Sequence, residues 1–465
     1  MPASARRPVA IGCFPGLTPR LLPYIPSLRG IAEEGFRADL ETVFPAVTCT
    51  VHATLTTGLT ADRHGAVGNG WYSRPHGEIF FWCQGGGLVS GEKIWHAARA
   101  ADPSCTTAYV CWWYAMDAQV DYIVTPRPVY RSDGRKAEDC YAYPPELHES
   151  LTGELGPFPL FSYWGPLAGI KSTRWIAAAV DRLIDRHRPD ITFFYVPHLD
   201  YDLQRFGPDS PQAVRAAAEV ERAVGPLLRK LRERDITVLA LSDYGMTPVR
   251  RPVHLNQVLR AAGLLRVYAQ QGMEYLDPCR SRAFAVADHQ VAHVYVADPA
   301  DVPRVRDLVA EVPGVDMVLA RPEQAKLRVD HERSGELIAV AEPSSWFTYY
   351  YWLDTGSAPD YARGVEIFRK GGYDPAELFF DPGDRFARTK ALLAVARGKA
   401  GFRTAMSVVP LDPACVRGSH GRPPGDGGEG PLLICSDPAA ERDRYHATAV
   451  KDLVLRLSGR APAGN

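Results

Sequence analysis

A threonine near the start of a predicted helix is the first side chain in this sequence that could perform chemistry. Thr48 follows Pro45 and a strand-like run of alternating polar and apolar residues at 38–44. Free backbone N–H groups and the positive end of the helix dipole gather at such a start. A hydroxyl placed there can attack a phosphorus or sulfur centre while the amides hold the oxyanion. An ordinary helix cap is the alternative for a lone threonine.

Two further polar clusters follow predicted buried strands. Residues 191–196 and 236–241 are almost wholly apolar, and a long amphipathic helix at 211–234 separates them. Strands of this kind indicate a parallel sheet that is buried on both faces. The first strand leads into HLDYDLQ, which contains Asp200, and the second leads into SDYGM, which contains Asp243. Because sites in open α/β sheets lie at carboxyl strand ends, we expect Asp200 and Asp243 in one cleft.

The residues around Thr48 also form a long motif without gaps. It reads FP-x-x-T, then H-x-T-L-x-T-G-L, then HG-x-x-GN-x-x-Y, ending at Tyr72. This pattern resembles the nucleotide pyrophosphatase/phosphodiesterase branch of the alkaline phosphatase superfamily. The resemblance implies an α/β sandwich with a central, mostly parallel sheet and a two-metal site, usually of zinc. It also implies that Thr48 is both the nucleophile and a metal ligand.

Three of the six other metal-ligand positions of that family are retained here. Asp200 matches the first-site aspartate, and Asp243 matches the second-site aspartate. His420, in the sequence GSHG, matches the late first-site histidine. A pair of ions lowers the pKa of the nucleophile and neutralises the oxygens of the transferring group.

The other three positions are changed. Pro15 stands where an aspartate should precede Gly16, Gln204 replaces a histidine four residues after Asp200, and Tyr244 replaces another histidine. Proline offers no ligand atom, glutamine is a weak zinc ligand, and tyrosine ligates rarely. We therefore expect one or two zinc ions in a non-standard site, held more weakly than in intact relatives. The expected ligands besides Thr48 are Asp200, Asp243, His420 and Gln204.

Nearby polar residues could rebuild the site or perform acid–base chemistry. His198 lies two residues before Asp200 and shares its face if that stretch is extended. His52 lies one helical turn after Thr48, and Cys13 lies at the end of the first predicted strand. Each of these is more often structural than functional. The catalytic candidates are Thr48, His198 and Tyr244.

The remaining pattern predicts one catalytic domain, residues 1–282 and 343–465, interrupted by a small α+β cap at 283–342. The chain opens with a β-α-β pattern, and residues 126–166, rich in Pro, Tyr and Gly, are predicted to be irregular loop. Within the cap, strands and short helices alternate over a much shorter span than in the main domain. We expect the cap to contribute to the pocket rim and to substrate choice.

Composition limits the class of protein. The 465 residues are 46% hydrophobic and 23% charged, which is typical of a soluble globular protein. A formal net charge of −1 gives no indication of a nucleic-acid or anionic-membrane partner. We see no apolar run long enough for a signal peptide or a membrane span, and no C-x-x-C pair. We therefore expect a cytoplasmic protein with free thiols that acts on a small, phosphorylated molecule.

Three hypotheses about function remain open from the sequence. The first is a phosphodiester or nucleotide pyrophosphate hydrolase with Thr48 as the nucleophile. The second is a divergent enzyme of small-molecule biosynthesis that has abandoned the two-zinc mechanism, with Tyr244, His198 and His52 as acid–base groups. The third is a catalytically inactive binding protein, against which the retained Thr48 and the glycine-rich run both argue. The oligomeric state is open as well.

Overall fold

A nine-stranded sheet forms the centre of the fold. The computed structural model describes residues 6–461 except 367, 369, 405 and 424–429. From one edge to the other, the strands are Arg444–His446, Phe36–Glu41, Leu432–Cys435, Thr237–Leu241, Val9–Cys13, Ile191–Tyr195, Thr107–Val110, Tyr122–Pro126 and Cys140–Tyr143.

Seven of these strands run in the same direction, as the sequence predicts. Leu432–Cys435 and the edge strand Cys140–Tyr143 are antiparallel to their neighbours. The three central parallel strands are buried along their whole length, which explains why their sequences read as continuous apolar runs. Cys13 pairs with both Tyr195 and Leu241, so these strands end at the same level. The residues that follow them therefore emerge at one edge of the sheet.

Helices cover the sheet in two packed groups. One group packs around Pro211–Glu233 and includes Pro26–Glu34, Ile170–His187 and His198–Phe206; the other joins Thr48–Thr57, Ile94–Ala101 and Val450–Leu457. Two such groups account for strands that are buried on both faces. The remaining α-helices are Ala61–His64, Pro145–Leu155, Leu255–Ala261, Val302–Ala310, Arg321–Lys326 and Ala387–Lys399.

The prediction for residues 126–166 is wrong. Residues 126–166 are not an irregular loop, because they contain the edge strand Cys140–Tyr143 and the helix Pro145–Leu155. Proline at the first helical position supports a helix start rather than excluding a helix. The high content of proline and tyrosine therefore obscured a regular structure at this edge of the sheet.

Residues 283–341 form a second, smaller sheet. Its antiparallel strands lie in the order Ala283–Asp288, Val291–Val296, Leu337–Ala341 and Val315–Leu319, with Val302–Ala310 and Arg321–Lys326 as its helices. The hydrophobic cluster beneath it also includes Leu255, Leu259 and Phe347, which lie outside residues 283–342. The cap boundaries at 283 and 342 remain a proposal, and this shared core favours wider ones.

Shorter strands pair outside the two large sheets. They are Gly70–Ser73 with Glu78–Phe81, Val129–Tyr130 with Lys136–Ala137, Thr247–Pro248 with Gly418–Ser419, Arg251–Val253 with Ser345–Phe347, and Val267–Gln270 with Met273–Leu276. Across the described residues, we find no helix with the length and apolar character needed to cross a bilayer. All nine cysteines are unpaired. The cytoplasmic location remains a prediction.

Candidate active site

Thr48 opens a helix at the carboxyl edge of the sheet. The strand Phe36–Glu41 leads through a cis Phe44–Pro45 bond to Val47, whose extended backbone precedes the first helical residue, Thr48. Thr48 is therefore the first residue of the helix and not its cap. Its side chain is only 3% exposed, and it lines a pocket at this edge.

The structure brings Thr48 together with the three retained family residues. Tyr244 Oη lies 3.5 Å from Thr48 Oγ1 and donates to Asp200 Oδ1 at 3.0 Å. The Tyr244 ring stacks on His420 with 3.5 Å between ring centroids. Asp243 lies near Thr48, whose hydroxyl acts to lower the pKa of the Asp243 carboxyl against the larger effect of burial. A continuous set of contacts therefore links the four residues.

Burial is the main cause of the pKa shifts of these groups. It raises the pKa of Asp200 to about 7, although hydrogen bonds from Tyr244 and Gln204 act in the opposite direction. Burial together with the charge of Asp200 raises the pKa of Asp243. Burial lowers the pKa of His420 to about 3, so its imidazole is neutral. Carboxylates without a nearby cation are costly in such a place.

His198 does not share a face with Asp200. The stretch is the helix His198–Phe206 rather than an extended segment, so residues two positions apart point in different directions. His198 Nε2 pairs with Glu219 Oε2 at 2.8 Å, on the long helix behind. The structure therefore gives no contact between His198 and Thr48 or Asp200, and a catalytic role for His198 remains an untested prediction.

The donor set does not fit two metal ions. Pro15 offers no ligand atom, and the Tyr244 phenol lies between Thr48 and Asp200, where both ions would need room. Gln204 turns its amide nitrogen, not its oxygen, towards Asp200. His420 Nδ1 contacts the carbonyl of Ala46 at 2.9 Å, so Nε2 is the atom available for a metal. The residues that could hold a single ion are Asp200 and His420, with Gln204 as a weak third ligand.

A second group of metal-ligating residue types lies beneath Thr48. The candidate ligand atoms of Cys13, His52 and Asp243 all lie within 4.8 Å of one another. However, the backbone N–H of Trp113 donates to His52 Nδ1 at 3.3 Å, which places the ring proton on Nε2. His52 Nε2 lies 3.9 Å from Asp243 Oδ2, so it faces that carboxylate as a donor and not as a metal ligand.

Aromatic side chains form most of the pocket wall. The cavity between them is small, about 40 Å³, and it opens to solvent. None of the described residues that line it is a lysine or an arginine. An aromatic wall without cations favours a ligand that carries an apolar group and little negative charge. The aromatic lining residues are Trp82, Trp113, Tyr163, Trp164, Tyr195, Tyr201 and Tyr244.

Asn69 is a site residue whose role the sequence reasoning missed. Its Oδ1 accepts from the Cys49 N–H at 2.9 Å, and its Nδ2 donates to Asp288 Oδ1 at 3.0 Å. One N–H of the helix start is therefore committed to Asn69 instead of an oxyanion. Asp288 also approaches Gly68 closely, since a Cβ there would lie 3.2 Å from Asp288 Oδ2. The GN pair in the motif was the available signal for this contact.

His289 is the residue through which the small sheet contributes to the pocket. It lies at the turn between Ala283–Asp288 and Val291–Val296, with a positive φ of 58°. Its ring lies 3.9 Å from the His420 ring, centroid to centroid, and it lines the pocket. The segment predicted as a cap therefore reaches the same edge as Thr48.

Replacing His289 with alanine is expected to change substrate preference more than turnover. The substitution removes a pocket wall without touching Thr48, so the ratio of kcat/KM for bulky and small esters should shift by about 10-fold. Met317→Ala, on an exposed part of the same sheet, is the matched control. An unchanged ratio would show that the cap segment does not set specificity.

The family of the chain follows from a sequence profile. The profile described as type I phosphodiesterase / nucleotide pyrophosphatase matches residues 12–374. The chain belongs to this family. The match includes Thr48, Asp200 and Asp243, while His420 lies beyond it. Enzymes of this family depend on metal, generally zinc.

Curated relatives are similar over part of their length. An uncharacterized pyrophosphatase/phosphodiesterase of Schizosaccharomyces pombe is 26% identical over 242 residues, which is 48% of this chain and 41% of that protein. Ectonucleotide pyrophosphatase/phosphodiesterase family member 1 of Mus musculus is 21% identical over 255 residues, 51% of this chain and 23% of that protein. The chain spans less than half the length of these relatives.

Solved structures confirm the predicted alkaline-phosphatase-like α/β fold. Phosphonoacetate hydrolase from Sinorhizobium meliloti 1021, in complex with phosphonoformate, has a TM-score of 0.62 at 16% identity, with 97% and 96% of the two chains covered. Inactive murine ectonucleotide pyrophosphatase / phosphodiesterase 5, in complex with AMP, has a TM-score of 0.59 at 15% identity, with 97% and 95% covered. At these identities, the likeness concerns the fold alone.

Proposed function

We propose that the protein hydrolyses a phosphoester, with the Thr48 hydroxyl as the nucleophile. The chain of contacts from Thr48 Oγ1 to Tyr244 Oη and on to Asp200 Oδ1 is the observation that carries this proposal. An unassisted threonine is a poor nucleophile and needs a neighbouring group to take its proton. In this site the phenol and the carboxylate supply that path at the place where the family has metal ligands.

The proton movements follow from these contacts. As Thr48 Oγ1 bonds to phosphorus, its proton passes to Tyr244 Oη while the Tyr244 proton passes to Asp200. The ester bond breaks, and the leaving oxygen keeps the bonding pair and takes a proton from solvent. The oxygen of a water molecule then bonds to phosphorus and the bond from phosphorus to Thr48 Oγ1 breaks. The water releases one proton to solvent, and Asp200 returns its proton through Tyr244 to Thr48 Oγ1, so Thr48 is regenerated. Free N–H groups of the helix start can stabilise the negative charge on the phosphoryl oxygens.

The proposal also includes one bound divalent metal ion. Asp200 and His420, with Gln204, are the residues that would hold one divalent ion, and zinc is the ion of the family. Such an ion would supply positive charge next to the transferring group. Asp243 has buried carboxylate oxygens without a hydrogen-bond partner of normal geometry in the described structure, and the facing Nε2–H of His52 offsets part of that cost.

The pocket supports a diester in preference to a monoester. No lysine or arginine of the described lining is present to balance the two negative charges of a monoester. A diester carries one negative charge and brings an ester group that can pack on the aromatic wall. AMP and phosphonoformate are ligands of the structural neighbours, and a small phosphorylated substrate is proposed here by analogy.

A substrate screen tests the proposed reaction. It compares aryl phosphate monoesters and diesters, a nucleotide and a sulfate ester, each with the native protein and Thr48→Ala. Turnover of the diester that requires Thr48 supports the proposal. A Thr48-independent activity would favour the second hypothesis, a divergent enzyme that uses Tyr244 for acid–base chemistry. Absence of activity together with absence of metal would favour an inactive binding protein.

Restoring the family ligands is expected to create a zinc site. Pro15→Asp, Gln204→His and Tyr244→His together return a carboxylate and two imidazoles, so the bound zinc should rise to about two ions per chain. Elemental analysis after equilibration with zinc measures this, and Pro15→Asp with Gln204→Asn and Tyr244→Phe is the control. A native protein that already holds two full equivalents would contradict the degraded ligand set.

A further inference from the structure

The helix Ala387–Lys399 and its flanks form a surface unlike the rest of the molecule. Four of the eleven large hydrophobic residues that are exposed in the described chain lie here, between 386 and 402. Residues 384–403 also contain six basic residues and one acidic residue, Asp384. We call residues 384–403 the basic-apolar surface. The net charge of −1 of the whole chain conceals this local excess.

The helix presents its larger apolar side chains to solvent and its small ones to the protein. Ala387 and Ala391 are buried against Val408, while Leu392 and Leu393 are 63% and 57% exposed. With about 100° per residue, Leu392, Ala396 and Leu393 lie on one outward arc, together with the exposed Thr389. Buried alanines and exposed leucines are the reverse of what packing onto the protein alone would select.

Basic side chains flank this outward arc on both sides. On the helical projection, Arg388 lies beyond one edge, and Arg397 with Lys390 lies beyond the other. The pattern continues past the helix, where the Arg403 guanidinium lies against Gly134 in a loop that carries Arg131 and also Arg135, which pairs with Asp133. An outward apolar stripe bordered by cations is one feature of helices that lie in a membrane interface.

We propose that the basic-apolar surface docks the protein on an anionic lipid surface, with Leu392 and Leu393 inserted at the headgroup level. A second copy of the chain fits less well, because a two-fold contact would place the same cations against each other. A nucleic acid would use the cations but would leave the leucines exposed to water. Anionic lipid uses both features, and every added basic residue strengthens the attachment.

The basic-apolar surface follows, a few residues later in the chain, a segment that packs on one wall of the pocket. Leu378 belongs to the same buried cluster as Tyr201, and Glu377 accepts from Trp164 Nε1 at 3.1 Å. Both Trp164 and Tyr201 line the pocket. The proposal concerns attachment only and does not depend on the reaction at Thr48.

Vesicle sedimentation tests the proposal with the full chain. We expect binding to phosphatidylcholine vesicles that contain phosphatidylserine, little binding to phosphatidylcholine alone, and release at high salt. Leu392→Asp with Leu393→Asp, and separately Arg388→Glu with Arg397→Glu, should each weaken binding at least about 10-fold. Leu353→Asp is the matched control, since Leu353 is 60% exposed on another segment.

Other outcomes overturn the assignment. Failure to sediment with anionic vesicles, equal binding to neutral vesicles, or loss of binding in the Leu353 control would each exclude it. A dimer in analytical ultracentrifugation that the same two variants dissociate would assign the surface to a second copy instead. Because all four substituted side chains are exposed, thermal unfolding of the variants should match that of the native protein.

Discussion

Replacing Thr48 by alanine is expected to abolish turnover and to leave the fold intact. The substitution removes the protein atom that the proposed mechanism bonds to phosphorus, so kcat should fall by at least about 1,000-fold. The effect on stability should be small, because Val47 and not Thr48 occupies the cap position. The lost contact to Tyr244 is long, at 3.5 Å, and its removal should cost about 1 kcal/mol.

Thr50→Ala is the matched control for this experiment. Thr50 lies in the first turn of the same helix, is fully buried, and has a hydroxyl without a hydrogen-bond partner in the described structure. Its replacement should leave kcat near that of the native protein. The two rates, with thermal unfolding of both variants, separate loss of the nucleophile from damage to the helix. Activity that survives Thr48→Ala would exclude Thr48 as the nucleophile.

The central sheet could be predicted from the sequence because its central strands have a recognisable residue pattern. Central parallel strands are covered on both faces, so residues such as those of Ile191–Tyr195 form short, unbroken apolar runs. The polar residues that follow such runs must emerge at the carboxyl edge. For the same reason, the positions of Asp200 and Asp243 directly after two such runs predict one shared edge.

The details around Asp200 could not be obtained in the same way. His198 and Asp200 share a face only in an extended chain, and the structure has a helix there. The helical alternative was readable in principle, since Leu199 and Leu203 repeat at a spacing of four and are both buried. His198 therefore pairs with Glu219 on another helix and not with the groups around Asp200.

The residues of the pocket wall could not be predicted from sequence patterns. Trp82, Trp113 and Trp164 come from three separate segments and meet only when the chain is folded. In sequence, each is an apolar residue that any core could bury. His289 is a similar case, because its role depends on where a hairpin of the small sheet ends relative to His420. Tertiary contacts, and not local sequence periodicity, determine whether such residues line the pocket.

Replacing Tyr244 distinguishes two ways of activating Thr48, a proton path through the Tyr244 phenol and a bound metal ion. If the phenol carries the Thr48 proton to Asp200, Tyr244→Phe should lower kcat by about 100-fold or more, with KM nearly unchanged. The ring still stacks on His420, so the packing of the site is kept. The loss should be the same with and without added zinc, because phenylalanine adds no ligand atom.

The pH–rate profile provides the second readout of this substitution. A proton path through the phenol predicts that the ascending limb of the kcat profile is altered in Tyr244→Phe, an effect that a purely structural tyrosine would not produce. Tyr201→Phe is the control, because Tyr201 is a buried pocket tyrosine whose hydroxyl bonds to the Tyr163 carbonyl and not to Asp200. Full activity of Tyr244→Phe would remove the proton path, and the retained Asp200 and His420 would then have to activate Thr48 through a metal.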